Sequence, residues 1–113
     1  MTMNIPDVPP SLNKLLRMHW RRRAVEKAKW ITEILVSREI GFHATGKMRV
    51  TITLNHSRFY DKDNAYGACK ILVDSMKNFG LIRDDSPEWL DLTVEQEKCP
   101  HKKRHTVIEL ETA

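Results

Sequence analysis

The feature that most constrains the fold is a nine-residue segment, KMRVTITLN (47–55), whose side chains alternate in polarity. In an extended chain, Met48, Val50, Ile52 and Leu54 lie on one side and the polar side chains between them lie on the other. This pattern predicts a β-strand with one buried face. Such a strand needs neighbouring strands at its edges and a layer of apolar helix surface over the buried face.

Two helical patterns flank this strand in the sequence. From about Leu15 to Ile40, apolar residues recur in steps of three and four, which predicts a long helix with one apolar stripe facing the core. The stripe comprises Trp20, Ala24, Ala28, Ile31 and Leu35. A second helix is predicted from about Asp63 to Asn78, because Gly80 follows as a stop signal. Its predicted core face comprises Ile71, Leu72, Ser75, Met76 and Phe79.

Three further extended segments complete the pattern. The prolines of PDVPPS (6–11) exclude a helix there, and residues 4–8 are predicted to be extended. Residues 87–97 and 105–111 alternate in polarity, and KCPHKKR (98–104) between them predicts a polar hairpin connection. The order β-α-β-α-β-β predicts an α+β fold, in which a small mixed β-sheet packs against two helices.

Composition limits the classes of protein to which the chain can belong. The length of 113 residues predicts a single domain, 1–113. No apolar run approaches the roughly 20 residues that a membrane-spanning helix needs. The first ten residues show no secretory leader, and two cysteines are too few for a disulfide framework. We therefore expect a cytoplasmic protein with reduced thiols and no membrane contact.

The net charge is +4, and the positive charge gathers near the two ends of the chain. Acidic residues are concentrated between 61 and 97. This distribution suits a nucleic acid, whose phosphates bind lysine and arginine, although the same side chains also fit an ordinary solvated helix face. The candidate phosphate-binding residues are Arg17, Arg21, Arg22, Arg23, Lys102 and Lys103.

Two acidic segments, DKDN (61–64) and GLIRDDS (80–86), are the candidates for chemistry. A helical wheel places Asp63 and Lys70 two turns apart on one face, and Asp61 can point the same way from extended backbone. Three carboxylates are enough to hold Mg²⁺, and a nearby lysine can offset charge that develops on a phosphate. The same residues also fit a capped helix start followed by an ordinary turn. The candidate ligands are Asp61, Asp63 and either Asp84 or Asp85.

Four segments in order resemble the RusA family of Holliday-junction resolvases, and the resemblance extends over nearly the whole chain. VPPSLN (8–13) is similar to the family's PPS-N turn, and DKDN (61–64) to its D-x-D-N signature. KILVD (70–74) is similar to its K-x-x-x-D, and GLIRDDS (80–86) to its G-[hydrophobic]-x-x-D-D. The chain departs from the type member in AYGAC (65–69), which places Lys70 three residues further from the signature.

The resemblance implies that Asp61, Asp63 and Asp85 bind a metal and that Lys70 is a catalytic lysine beside them. It implies Mg²⁺ as the cofactor, with Mn²⁺ as a substitute, and a homodimer that cuts opposed strands of a four-way DNA junction. Asn13, in the PPS-N turn, would contact nucleic acid or only fix the backbone. The alternative is a non-catalytic nucleic-acid-binding protein of a phage or prophage that keeps the same scaffold.

Overall fold

The fold is built on a four-stranded mixed sheet. The computed structural model describes all residues, 1–113. The strands are β1 (Thr2–Ile5), β2 (Met48–His56), β3 (Leu90–Lys98) and β4 (His105–Thr112). Their spatial order is β1-β4-β2-β3, with β2 parallel to β3 and β4 antiparallel to both β2 and β1. The predicted α+β class with a mixed sheet is confirmed.

The connection between β3 and β4 is not the predicted hairpin. Both strands pair with β2, one at each edge, so that Met48 lies opposite Leu90 in β3 and opposite Thr112 in β4. The connection crosses the carboxyl end of β2 and contains a short 3₁₀ helix, His101–Lys103. Alternation in polarity determines which face of a strand is buried, but it does not determine which strands are neighbours.

Three helices are present where two were predicted. They are α1 (Leu12–Arg17), α2 (Trp20–Ser37) and α3 (Lys62–Asn78). The long helix predicted from Leu15 to Ile40 is divided at Met18 and His19, which both have extended backbone. The His19 ring accepts a hydrogen bond from the Arg21 N–H at 3.3 Å and so caps the start of α2. None of these helices combines the length and apolar character that crossing a membrane requires.

The core lies between one face of the sheet and the helices. The sheet contributes Met3, Ile5, Met48, Val50, Ile52, Leu54, Ile108 and Leu110, all buried. The core face predicted for α3 is confirmed, because Ile71, Leu72, Ser75 and Met76 are buried and Phe79 is partly buried. The same helix also buries Ala65, Ala68, Cys69 and Val73.

The apolar stripe predicted for the core side of α2 faces outward instead. Trp20 is 62% exposed and Leu35 is 44% exposed, whereas Trp30 and Ile34 are fully buried. At 100° per residue, the two buried side chains lie about 100° around the helix from the centre of the stripe. The buried indole N–H of Trp30 donates to a Glu26 carboxylate oxygen at 3.2 Å. One large side chain with a local partner therefore determines the orientation of α2.

The outer face of the sheet is polar, and its charged residues are mostly acidic. Its only lysine or arginine is Arg49, which lies 3.5 Å from the carboxylate of Asp91 and 3.3 Å from that of Glu111. The carboxylates on this face are Asp91, Glu95, Glu97, Glu109 and Glu111. The positive charge of the chain therefore lies mainly elsewhere.

Candidate functional site

The first turn of α3 carries the two aspartates of the DKDN segment. Asp61 is the N-cap, and its Oδ1 accepts hydrogen bonds from the backbone N–H of Asn64 at 3.0 Å and from the side-chain Nδ2 of Asn64 at 2.9 Å. The Asn64 Oδ1 in turn accepts from the backbone N–H of Asn13 in α1 at 2.9 Å. Asp63 is exposed two positions after Asp61, in the first turn of the helix. The relay from α1 through Asn64 therefore fixes the direction of the Asp61 carboxylate.

The AYGAC segment (65–69) is continuous helix, and this determines where Lys70 lies. Because α3 is unbroken from Lys62 to Asn78, Asp63 and Lys70 are on one side of it, about 10 Å apart along the axis. Gly67, inside this segment, lies beneath Leu12 of α1. The longer spacing after the signature thus adds a helical turn that carries the contact with α1.

Lys70 and Asp85 line the same surface depression, of about 270 Å³, beside the middle of α3. Asp74, one turn after Lys70, lines it as well, together with the ring of Tyr66. Pro87, Leu90 and Leu92 form the apolar wall at the start of β3. The lining of this open depression therefore combines two aspartates and a lysine with a tyrosine, side chains that can take part in proton transfer and in contact with a phosphate.

Asp84 and Asp85 have different surroundings. The carboxylate of Asp84 lies 2.9 Å from the Lys77 ammonium group. The hydrogen bond from Lys77 holds the pKa of Asp84 at about 2, and the same bond raises the pKa of Lys77. Asp84 is thus engaged in an ion pair, whereas Asp85 lines the depression with Lys70. This geometry favours Asp85 as the third acidic residue of the site.

The three predicted metal ligands are not gathered into one site. No group of three or more His, Cys, Asp or Glu side chains is arranged so that it could hold a metal ion. Asp61 and Asp63 lie at the amino end of α3, whereas Asp85 lies beside its middle. The oxygen donors are of the type that Mg²⁺ prefers, but their arrangement does not form a three-carboxylate site.

A larger cleft, of about 820 Å³, is lined by four lysines and arginines and by residues 57–60, the loop before the DKDN signature. Asp7 is also part of its lining and accepts hydrogen bonds from Lys29 and from Arg104, the latter at 2.9 Å. Partial burial by itself would raise the pKa of Asp7, but these hydrogen bonds and one from the Val8 N–H outweigh it and lower the pKa. Lys29 and Arg104 are thereby neutralised in part and held in place.

Lys14 and Arg58 line this cleft without an acidic partner. Neither residue was predicted from the sequence, because one lies in α1 and the other in the loop before DKDN, 44 positions apart. The only signal was a basic residue next to each of two motifs that the resemblance already marked. The structure brings the two together, and their free charges can bind an anionic backbone.

Tyr60 fixes the loop between the cleft and the DKDN signature. Its backbone N–H donates to Gln96 Oε1 at 2.8 Å, its carbonyl accepts from Gln96 Nε2 at 2.9 Å, and its hydroxyl donates to the Pro9 carbonyl at 2.9 Å. Burial raises the pKa of Tyr60, and a negative charge on Asp7 raises it further, so the hydroxyl stays a donor. The PPS-N turn and the signature are therefore fastened to each other and to β3.

The residues predicted to bind nucleic acid are exposed but do not form one patch. Asn13 and Arg17 lie on α1, Arg21, Arg22 and Arg23 in the first turn of α2, and Lys102 and Lys103 in the 3₁₀ helix. Lys14 of α1 and His101 of the 3₁₀ helix both line the cleft, so these two elements border it from two sides. The Arg23 side chain lines a separate groove, between α2 and α3, that also contains Lys70.

Neither protein-family models nor curated proteins provide a relative of this chain.

Proposed function

We propose that the chain is a Mg²⁺-dependent endonuclease that resolves four-way DNA junctions, acting as a homodimer in the cytoplasm of a bacterial or phage-infected cell. The observation that carries the proposal is the depression in which Lys70 and Asp85 meet. It lies on the same side of α3 as Asp63, and the cation-lined cleft is beside the loop that leads into the DKDN signature. The motif resemblance adds the substrate class and the dimer, and Mn²⁺ is proposed as a substitute for Mg²⁺.

Each side chain has a role that its chemistry allows. The Lys70 ammonium group contacts the scissile phosphate and offsets the negative charge that develops there. Asp61, Asp63 and Asp85 are the carboxylates that would hold a divalent cation, although Asp85 lies apart from the other two. The cation would supply Lewis-acid activation of water and phosphate. Asn64 holds Asp61 in position through two hydrogen bonds. Lys14 and Arg58 would hold the DNA backbone beside the signature.

A second function is supported by a specific observation. Because the three aspartates do not form a metal site, a nucleic-acid-binding protein without catalysis is the alternative proposal. Its binding surface would be the same cation-lined cleft and the basic turn of α2. Only the requirement for Mg²⁺ and the cutting of DNA separate the two functions.

A synthetic four-way junction, incubated with and without Mg²⁺, tests both proposals. The endonuclease predicts paired cuts that need the metal, whereas the alternative predicts a gel shift with no cuts under either condition. Asp63→Asn should reduce cutting by about 100-fold or more and leave junction binding intact, because a cation ligand rather than a phosphate contact is lost. The matched control is Asp91→Asn, which removes a carboxylate from the outer sheet face. Normal cutting by Asp63→Asn would exclude the assigned site.

A further inference from the structure

The outward side of α2 is the one long apolar surface that the fold leaves uncovered. We call it the α2 ridge, and it comprises Trp20, Ala24, Val25, Ala28, Ile31, Leu35 and Val36. On a helical wheel these residues occupy about 160° of arc, centred away from the buried Trp30 and Ile34. Val25 is 69% exposed and Val36 is 76% exposed. The sheet therefore does not cover these side chains of the ridge.

The exposed apolar area of the ridge approaches that of a specific protein interface of standard size. A fully exposed tryptophan offers up to about 250 Å² and an aliphatic side chain about 100 Å². With the exposed fractions of its five large side chains, the ridge presents about 400 Å² of apolar surface, before its two exposed alanines are added. A specific protein interface of standard size buries about 800 Å² per copy, and a homodimer interface is about 65% apolar. The exposed Leu16 and Ile40, just beyond the two ends of α2, extend the surface toward that value.

Charge along α2 determines the direction in which two copies can pair. Five of the ten residues from Trp20 to Lys29 are arginine or lysine, whereas Trp30–Ser37 contains none and includes Glu33. A parallel pair would place the two basic halves side by side. An antiparallel pair places each basic half against the neutral-to-acidic half of the other copy, where the helix dipole is also negative.

We propose that two copies of this chain associate through antiparallel α2 ridges about a twofold axis near Ala28. Ala28 is at the midpoint of the ridge, and its small side chain, with Ala24 one turn away, allows two helices to approach closely. Arg21, the one charged residue within the ridge arc, then lies opposite the carboxyl-terminal turn of the other α2. Arg22 lies outside the arc and stays exposed, whereas Arg23 lines the groove between α2 and α3 together with Trp20 and Ala24 of the ridge. The homodimer belongs to the proposed function, but its interface is argued from α2 alone.

Association and its geometry can be measured separately from cutting. Wild-type protein should show a concentration-dependent dimer by light scattering after size exclusion, and Val36→Glu should weaken dimerisation by about 10-fold or more, because it buries a charge in the apolar interface. The matched control on the same helix is Arg22→Glu, which changes the charge more but lies off the ridge. Circular dichroism of each variant checks that it is folded. A monomer at every micromolar concentration, or a Val36→Glu dimer as strong as wild type, would overturn the proposal.

Single cysteines test the direction of the pair. In a Cys99→Ser background, Ala28→Cys should cross-link on oxidation, because the axis brings the two copies of position 28 together. Ala24→Cys should cross-link poorly, since its two copies are about 12 Å apart along antiparallel helices. Equal cross-linking at both positions would indicate a parallel pair and refute the antiparallel geometry. If a monomer cuts DNA, the proposed interface is wrong, but the proposed activity is supported.

Discussion

Replacing Gly67 with alanine tests how α1 is attached to α3. A Cβ at this position would lie 2.6 Å from Leu12 Cβ, 2.8 Å from its Cδ2 and 2.9 Å from its Cγ. The Cβ of Leu12 has a position fixed by the backbone of α1, so a change of rotamer cannot relieve the nearest contact. Helix α1 itself has to move away from α3.

The size of the effect follows from two opposing terms. Overpacking of a close contact costs about 1–3 kcal/mol. Alanine in place of glycine inside a helix contributes up to about 1 kcal/mol in the opposite direction. We expect a net loss of about 1–2 kcal/mol in the free energy of unfolding, which for a domain of about 100 residues lowers the melting midpoint by roughly 5–10 °C.

Thermal and urea unfolding followed by circular dichroism measure this loss. The matched control is Gly46→Ala, because a Cβ at Gly46 meets no atom within 4 Å. The control should be as stable as wild type. A Gly67→Ala protein as stable as the control would refute the close packing of α1 on α3, and with it the argument that α1 holds Asn64 and Asp61 in place.

Three further predictions address chemistry and pH. Lys70→Ala should bind the junction but cut it about 100-fold more slowly. The control Lys62→Ala, which removes an exposed lysine from the first turn of α3, should cut normally. A gel assay that shows the reverse would reassign the catalytic lysine. Asp7→Asn should lower stability by about 1–2 kcal/mol above pH 4. Because the pKa of Asp7 is lowered from 3.8 in the fold, this difference should shrink as the pH falls further, and urea melts showing a constant gap would contradict it. A thiol reagent should label Cys99 in the folded protein and spare Cys69, since burial raises the pKa of Cys69 to about 12. If mass spectrometry finds both cysteines labelled, the core opens and the prediction is wrong.

The parts of the fold that sequence predicted are those with a long, uninterrupted pattern. Strand β2 and helix α3 have nine and 17 residues and strong periodicity, and their predicted boundaries agree with the structure within two residues. The break at Met18 and His19 was not predicted, because its cause is a ring nitrogen cap and extended backbone rather than a proline or glycine. The orientation of α2 was predicted wrongly, because a count of apolar residues ignores the size of Trp30 and its local partner.

In the candidate site, too, the sequence predicted the features that depend on local pattern and not those that depend on long-range contacts. The exposed face shared by Asp63 and Lys70 follows from helical spacing, and the structure places both residues there. The choice between Asp84 and Asp85 depends on which of them Lys77 reaches, and that contact comes from the loop after α3. The cleft that contains Lys14 and Arg58 is assembled from segments far apart in the chain, so no local pattern could have predicted it.

The separation of charge across the molecule determines which side a polyanion can approach. The outer sheet face carries five carboxylates and one guanidinium group, a net charge of −4, whereas the whole chain carries +4. The remaining surface, with the helices and the cleft, therefore carries +8. A field of this shape would repel a polyanion from the sheet face and favour its approach to the side of the helices, where Asp63 and Lys70 lie. If the polyanion is DNA, as proposed, the acidic residues of the candidate site need not prevent its approach, because lysine and arginine outnumber aspartate and glutamate over this surface as a whole.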